Sequence, residues 1–273
     1  MKKIIVLTDF SDQSSNALKA AADLAQKHEV ELLVVHMLEL NQALITAPDG
    51  IYAEQTVFLV KLAEKNLKEF LDKPFLKGIK VTPIIKHYKV FSELDAIAEE
   101  HKADLIVMGS NGASGFDELF IGSNAEKVVR NASIPVIVIK GEVTNFSIER
   151  FVFACDFTDE SLPAFQKARE FAKVLKATME LVYINTPNDD FLSNRDAYER
   201  INKFLNKANA GQQVEVYNDY SVEQGILNYG QSVLADAIAI PTHGRKGLSH
   251  LFNGSIGEDV VNHASIPVIT FKI

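Results

Sequence analysis

The sequence predicts two tandem α/β units, each a five-stranded parallel sheet with helices on both faces. Three observations carry this. The chain repeats itself. Each copy alternates short apolar runs with helical periodicities. Each copy also carries a glycine-rich stretch near its end. Residues 4–18 (IIVLTDFSDQSSNAL) match 151–165 (FVFACDFTDESLPAF), and 122–140 (GSNAEKVVRNASIPVIVIK) match 254–272 (GSIGEDVVNHASIPVITFK). The offset is 147 residues in the first match and 132 in the second, which makes the second copy 15 residues shorter. The shortening is expected between the second and third strands. The connection GEVTNFSI at 141–148 divides the chain into units 1–143 and 144–273.

The elements follow from period and punctuation. The apolar run at 3–8 reads as a buried strand. Ser11, Asp12 and Ser14 are helix-start residues, and Ala17, Leu18, Ala21, Leu24 and Ala25 then recur at helical spacing. Strands are expected at 30–37, 81–85, 105–108 and 135–139, with helices at 52–72, 91–101 and 123–131. The second copy repeats the order at 150–155, 161–175, 179–184, 195–207, 213–217, 222–231, 236–240, 255–263 and 267–271. Pro163 keeps its helix from beginning much before Asp159, because proline is tolerated only in a first turn. Strands that alternate with helices are joined by right-handed crossovers, which makes the sheet parallel.

In such a sheet ligands bind at the carboxyl ends of the strands. Thr8 and Asp9, His36 and Met37, and Met108 and Gly109 should converge there. The stretch 104–124 (DLIVMGSNGASGFDELFIGSN) adds Gly112, Gly122, Ser123 and Asn124. A strand, a glycine loop and a helix start place backbone N–H groups and a helix dipole at one point, which suits a phosphate. Asp9 would accept from a base amine or a ribose hydroxyl. The blander readings are a flexible loop, a helix-start aspartate and core methionines.

Composition narrows the classes. The net charge is −8, against a nucleic-acid binder. No apolar stretch approaches a membrane span, and the N-terminal run is too short for a signal peptide. Cys155 is the single cysteine, so no internal disulfide forms, which fits a cytoplasmic protein. Cys155 reads as a small buried hydrophobe or a redox group. No Walker loop, no HExxH and no G-x-S-x-G is present, and no base–nucleophile pair or protein metal site stands out. HxGH and SGGxDS are absent too, which disfavours a nucleotidyl transferase or an ATP pyrophosphatase.

The pattern Gly109-x2-Gly112-x9-Gly122-Ser123-Asn124, with Thr8-Asp9-Phe10-Ser11, resembles the universal stress protein family over almost the whole of both copies. The resemblance implies a flavodoxin-like, Rossmann-like fold of the adenine nucleotide alpha hydrolase type, with strand order 3-2-1-4-5. It implies a cytoplasmic stress-response regulator that binds ATP or AMP/ADP with Mg²⁺ and hydrolyses it slowly or not at all. Asp9 and the backbone near Met37 would hold the adenosine end, Met108 and Gly109 the ribose and phosphate region, and Gly112, Gly122, Ser123 and Asn124 the phosphates. It also implies an internal pseudo-dimer through strands 135–139 and 267–271, and further homodimerisation. The second copy keeps Asp156, Gly244, Gly254 and Ser255 but has Pro241 in place of Gly109. Its loop gains His243, Arg245 and Lys246, which either attract an anion or are solvated. The alternative role is an interaction module that docks partners without nucleotide.

Overall fold

The computed structural model describes residues 1–38, 50–87, 90–110, 122–187, 191–242 and 255–273. The first half runs β1 (Lys3–Thr8), α1 (Asp12–His28), β2 (Glu31–Leu38), α2 (Gly50–Phe70), β3 (Val81–His87), α3 (Val90–His101), β4 (Leu105–Gly109), α4 (Ser123–Asn131) and β5 (Val136–Ile139). The second runs β6 (Arg150–Ala154), α5 (Leu162–Leu175), β7 (Thr178–Asn185), α6 (Asn194–Lys207), β8 (Val214–Asn218), α7 (Val222–Ser232), β9 (Ala237–Thr242), α8 (Ser255–His263) and β10 (Val268–Lys272). Equivalent strands lie 147 residues apart at Lys3 and Arg150 and at Glu31 and Thr178, but 133 apart at Val81 and Val214. Nearly all of the shortening therefore lies between the second and third strands.

Local chemistry explains the element ends. Ser11 caps α1 by accepting the Ser14 N–H at 3.2 Å, and Glu29 ends it in the left-handed region at φ 54°. Pro163 sits in the first turn of α5, and a 3₁₀ turn at Asp159–Ser161 precedes it. β3 runs past Ile85 because Lys86 and His87 continue the backbone pairing with Met37 and Leu38. β9 continues through Pro241. Its pairing with β6 stops at Ala239, so one side of the strand has no ladder to lose there.

The ten strands form one sheet in the order β3-β2-β1-β4-β5-β10-β9-β6-β7-β8. Every pairing is parallel except β5 with β10, where Val138, Ile137 and Val136 face Val268, Ile269 and Thr270. The last strands of the two halves are thus paired with each other, and any further dimer would need another surface. One apolar core lies under α1, α2, α5 and α6 and spans both halves; a second lies under α3, α4, α7 and α8. Buried aromatic rings dominate the second half's share of the first core. Phe165 packs edge-on to Phe153 and Phe204, and Phe271 to Phe171.

Each half also caps the other. The Lys140 ammonium donates to the Asn262 carbonyl near the end of α8 at 3.2 Å, and the Lys272 ammonium to the Asn131 carbonyl ending α4 at 2.9 Å. Cations suit helix C-termini because unpaired carbonyls collect there. Arg130 adds a hydrogen-bonded ion pair to Glu258 across the junction. Burial lowers the Lys140 ammonium to about 8. A lysine depressed in the fold binds fewer protons there than in the unfolded chain between about pH 8 and its ordinary value, so stability rises with pH through that window. Urea titrations should show wild type gaining roughly 1–2 kcal/mol over Lys140→Met between about pH 8 and 10.5, after a discount for solvent screening. A pH-independent difference would refute this.

Candidate functional site

The carboxyl ends of β1, β2 and β4 meet the N-terminus of α4 in the first half. The turn after β1 is built tightly. The buried Thr8 hydroxyl shares a 3.0 Å hydrogen bond with Ser14 and accepts the Phe10 N–H at 3.0 Å. Phe10 is held in the left-handed region at φ 68°, where a bulky residue is rarely found. Its ring stacks on His36 at 4.2 Å and meets Phe70 edge-on at 5.8 Å. The His36 Nδ1–H donates to the Thr8 carbonyl at 2.9 Å and ties the ends of β1 and β2 together. The turn leaves Asp9 exposed, with its carboxylate accepting the Ser11 N–H at 3.1 Å and the Ser11 hydroxyl at 2.5 Å.

β4 brings the backbone close to α1. A Cβ on Gly109 would lie 2.8 Å from the Gln13 carbonyl oxygen, so only glycine fits there without moving the helix. The side-chain Oε1 of Gln13 is buried with no hydrogen-bond partner among the described residues. Such an acceptor is suited to a ligand N–H or hydroxyl. Ser110 follows, buried, and its carbonyl accepts the Gly122 N–H at 2.9 Å, which pins the two ends of the loop together. Gly122 is the N-cap of α4 and brings no side-chain cap, so the first-turn N–H groups of Ser123 and Asn124 are not covered by it.

The sequence candidates therefore separate. Asp9, Gly109, Gly122, Ser123 and Asn124 lie along this edge, with Asn124 exposed. Met108 is a core residue and Met37 is half-buried against the same core, so their side chains pack, leaving backbone to face a ligand. The Thr8 hydroxyl is committed to the turn. Gly112 lies outside the described residues. Sequence reasoning overlooked Phe10, Gln13 and Ser110. The recurrence of Phe10 as Phe157 was the available signal for the first.

The second half carries the same turn with a different outcome. Phe157 is again left-handed, at φ 53°, and packs edge-on against Phe204 and Tyr183. Asp156, however, is 4% exposed. Its carboxylate accepts the Thr158 N–H at 3.1 Å, the Thr158 hydroxyl at 3.0 Å and the Ser161 hydroxyl at 2.7 Å. The cause is the residue before it. Ser14 shares a hydrogen bond with the Thr8 hydroxyl, whereas Cys155 stands at the Thr8 position in the second half and the Ser161 hydroxyl donates to Asp156 instead.

Among the described residues, α7 packs closely beside this turn. A cavity of about 20 Å³ between Cys155, Asp156, Tyr183, Ile184 and Ile226 has room for one water. A Cβ on Gly225 of α7 would lie 2.5 Å from Ile184, so α7 sits hard against β7. The buried amide of Asn185 holds the Leu192 backbone and Asn218. Ser255 begins α8; Gly244, Gly254, His243, Arg245 and Lys246 lie outside the described residues.

The sequence pattern of the universal stress protein family matches residues 1–140 and again 147–272. The chain belongs to the universal stress protein family. Universal stress protein Slr1230 of Synechocystis is 23% identical over the whole of both chains. Universal stress protein MJ0531 of Methanocaldococcus jannaschii is 31% identical over 139 residues, 51% of this chain and 82% of its own length. The crystal structure of a universal stress protein from Archaeoglobus fulgidus shares the fold, with a TM-score of 0.70 at 22% identity over 99% of this chain and 96% of that one.

Cys155 of this universal stress protein is 3% exposed, and burial, with Asp156 beside it, pushes its thiol well above the ordinary range. The thiolate is the reactive form. The native thiol should therefore resist Ellman's reagent and react only after unfolding in urea. Rapid native labelling would contradict the burial. Among the described residues, no three His, Cys, Asp or Glu side chains are grouped to hold a metal ion.

Proposed function

We propose that this universal stress protein is a nucleotide-responsive regulator of the stress response. It binds one adenine nucleotide, ATP or AMP/ADP with Mg²⁺, at the carboxyl edge of its first half, and hydrolyses it very slowly or not at all. One observation carries the reading: a helix N-terminus with no side-chain cap from its N-cap residue is pinned through Ser110 beside Gly109, a strand end where a Cβ does not fit. The α4 N–H groups would take the phosphates. The Asp9 carboxylate would take a ribose hydroxyl or base amine, and the Gln13 oxygen would gain a donor. Mg²⁺ would be held chiefly by phosphate oxygens and water, as is usual for this ion. Nothing described beside the edge pairs a base with a nucleophile, so positioning and sensing, rather than turnover, fit the residues.

The second half supports a different reading for itself. Asp156 is buried and satisfied within its own turn, so this half serves as a structural and docking module. A cytoplasmic location fits the single buried cysteine. Calorimetry with ATP and Mg²⁺ should give one site per chain, and ATP should raise the melting temperature. Absence of both, together with no adenine nucleotide released from gently purified protein, would refute nucleotide binding. Two sites per chain would refute the silent second half. Rapid release of ADP would refute the non-catalytic role.

A further inference from the structure

Lys140 stands at the carboxyl edge of the first half, where the two halves meet. β5 alternates between the cores, with Ile137 and Ile139 in the first and Val136 and Val138 in the second. Lys140 follows, so its side chain leaves on the face that α4 and α8 cover. The Asn262 carbonyl that it reaches, in the last turn of α8, lies on that face. The register sets its height. Gly109 pairs with Ile139, which puts Lys140 beside Ser110, the residue whose carbonyl holds the N-cap Gly122 of α4. α8 ends at the same level, because β10 runs antiparallel to β5. Lys140 thus projects between the first turn of α4 and the last turn of α8.

The Lys140 ammonium is only partly satisfied there. It carries three donors and gives one to the Asn262 carbonyl at 3.2 Å. Among the described residues no carboxylate pairs with it, and burial is what lowers it from its ordinary value. Arg130, by contrast, pairs with both Glu126 and Glu258. A desolvated cation without a counter-ion is costly to the fold. The start of α4 is the positive end of a helix dipole, and its N-cap residue brings no side-chain cap. Two positive groups at one level of the sheet are both satisfied by an anion between them.

We propose that Lys140 contacts the second or third phosphate of the bound nucleotide, so that the first half selects di- and triphosphates over the monophosphate. This selectivity presupposes nucleotide binding at the carboxyl edge, as proposed above, and assigns the group that reads the far end of the ligand. The first-turn N–H groups of α4 lie close together and take one phosphate. A longer phosphate chain reaches past them, and its added charge meets the ammonium. Two donors remain free on Lys140, so it keeps the Asn262 carbonyl while it holds the phosphate. The number of phosphates is thereby felt at the end of α8, in the other half.

Calorimetric titration of the full chain with ATP, ADP and AMP in the presence of Mg²⁺ tests the contact. Wild type is expected to bind ATP and ADP at least about tenfold more tightly than AMP. In Lys140→Met the ATP affinity should fall about tenfold, with AMP affinity within about twofold of wild type. Lys140→Arg keeps the charge and the donors and should keep most of the preference. Lys272→Met is the control. Lys272 holds the Asn131 carbonyl at the opposite end of the junction, so its loss should leave the ratio of ATP to AMP affinity unchanged. A wild type that binds AMP as tightly as ATP would overturn the proposal without any variant. So would an unchanged ratio in Lys140→Met, or an equal loss in Lys272→Met, which would show that Lys140 only fastens the halves. No binding of any of the three nucleotides would overturn the site itself, and the phosphate contact with it.

Discussion

Gly109→Ala should destabilise the protein by about 1–3 kcal/mol and weaken ATP binding about tenfold or more. The added methyl would stand 2.8 Å from the Gln13 carbonyl oxygen and 2.9 Å from its carbon. Both are backbone atoms of the first turn of α1, so no side-chain rotation relieves the contact. The helix start must retreat, and the Ser11 cap and the Asp9 turn retreat with it. Stability and affinity therefore fall together. In the second half Pro241 stands at this position, and a 3₁₀ turn at Asp159–Ser161 precedes the helix. Urea unfolding and calorimetry check both effects. Wild-type values in both would show that the close approach has no consequence.

Removing the two equivalent aspartates should produce opposite results. Asp156→Ala leaves the Thr158 N–H and two hydroxyls without their acceptor in a buried turn, at a cost of about 2–4 kcal/mol. Its nucleotide stoichiometry should stay at one per chain. Asp9→Ala removes an exposed carboxylate whose partners can turn to water, so its stability should change by less than about 1 kcal/mol. Nucleotide affinity should fall by about tenfold to a hundredfold, the value of hydrogen bonds to a charged group. Thermal unfolding and ATP titration of the two variants separate the roles. Equal stability losses with equal loss of nucleotide would show that both halves bind.

Strands, helices and the repeat were legible because they rest on local pattern. The apolar runs at 3–8 and 150–155, the Ser11 cap and the first-turn Pro163 each contain their own cause. Element ends were less legible, since β3 and β9 run on through polar residues and a proline by backbone pairing alone. The candidate phosphate end was readable from Gly109 and Gly122. The difference between Asp9 and Asp156 was not, although the residues match. It depends on whether Ser14 or Ser161 finds a hydroxyl across the turn, and thus on Thr8 against Cys155. Phe10 and Phe157 gave no warning of a left-handed backbone, because that conformation is imposed by rings packed from other elements.

The antiparallel seam between β5 and β10 has a consequence for how the two halves respond to change. In an assembly of separate identical subunits, each substitution appears twice, and pairing depends on protein concentration. Here the pairing is unimolecular and holds at any dilution. A residue such as Pro241 can appear on one side while Gly109 remains on the other. The joined sheet lets one half bury the aspartate of its first turn while the other keeps the equivalent carboxylate exposed.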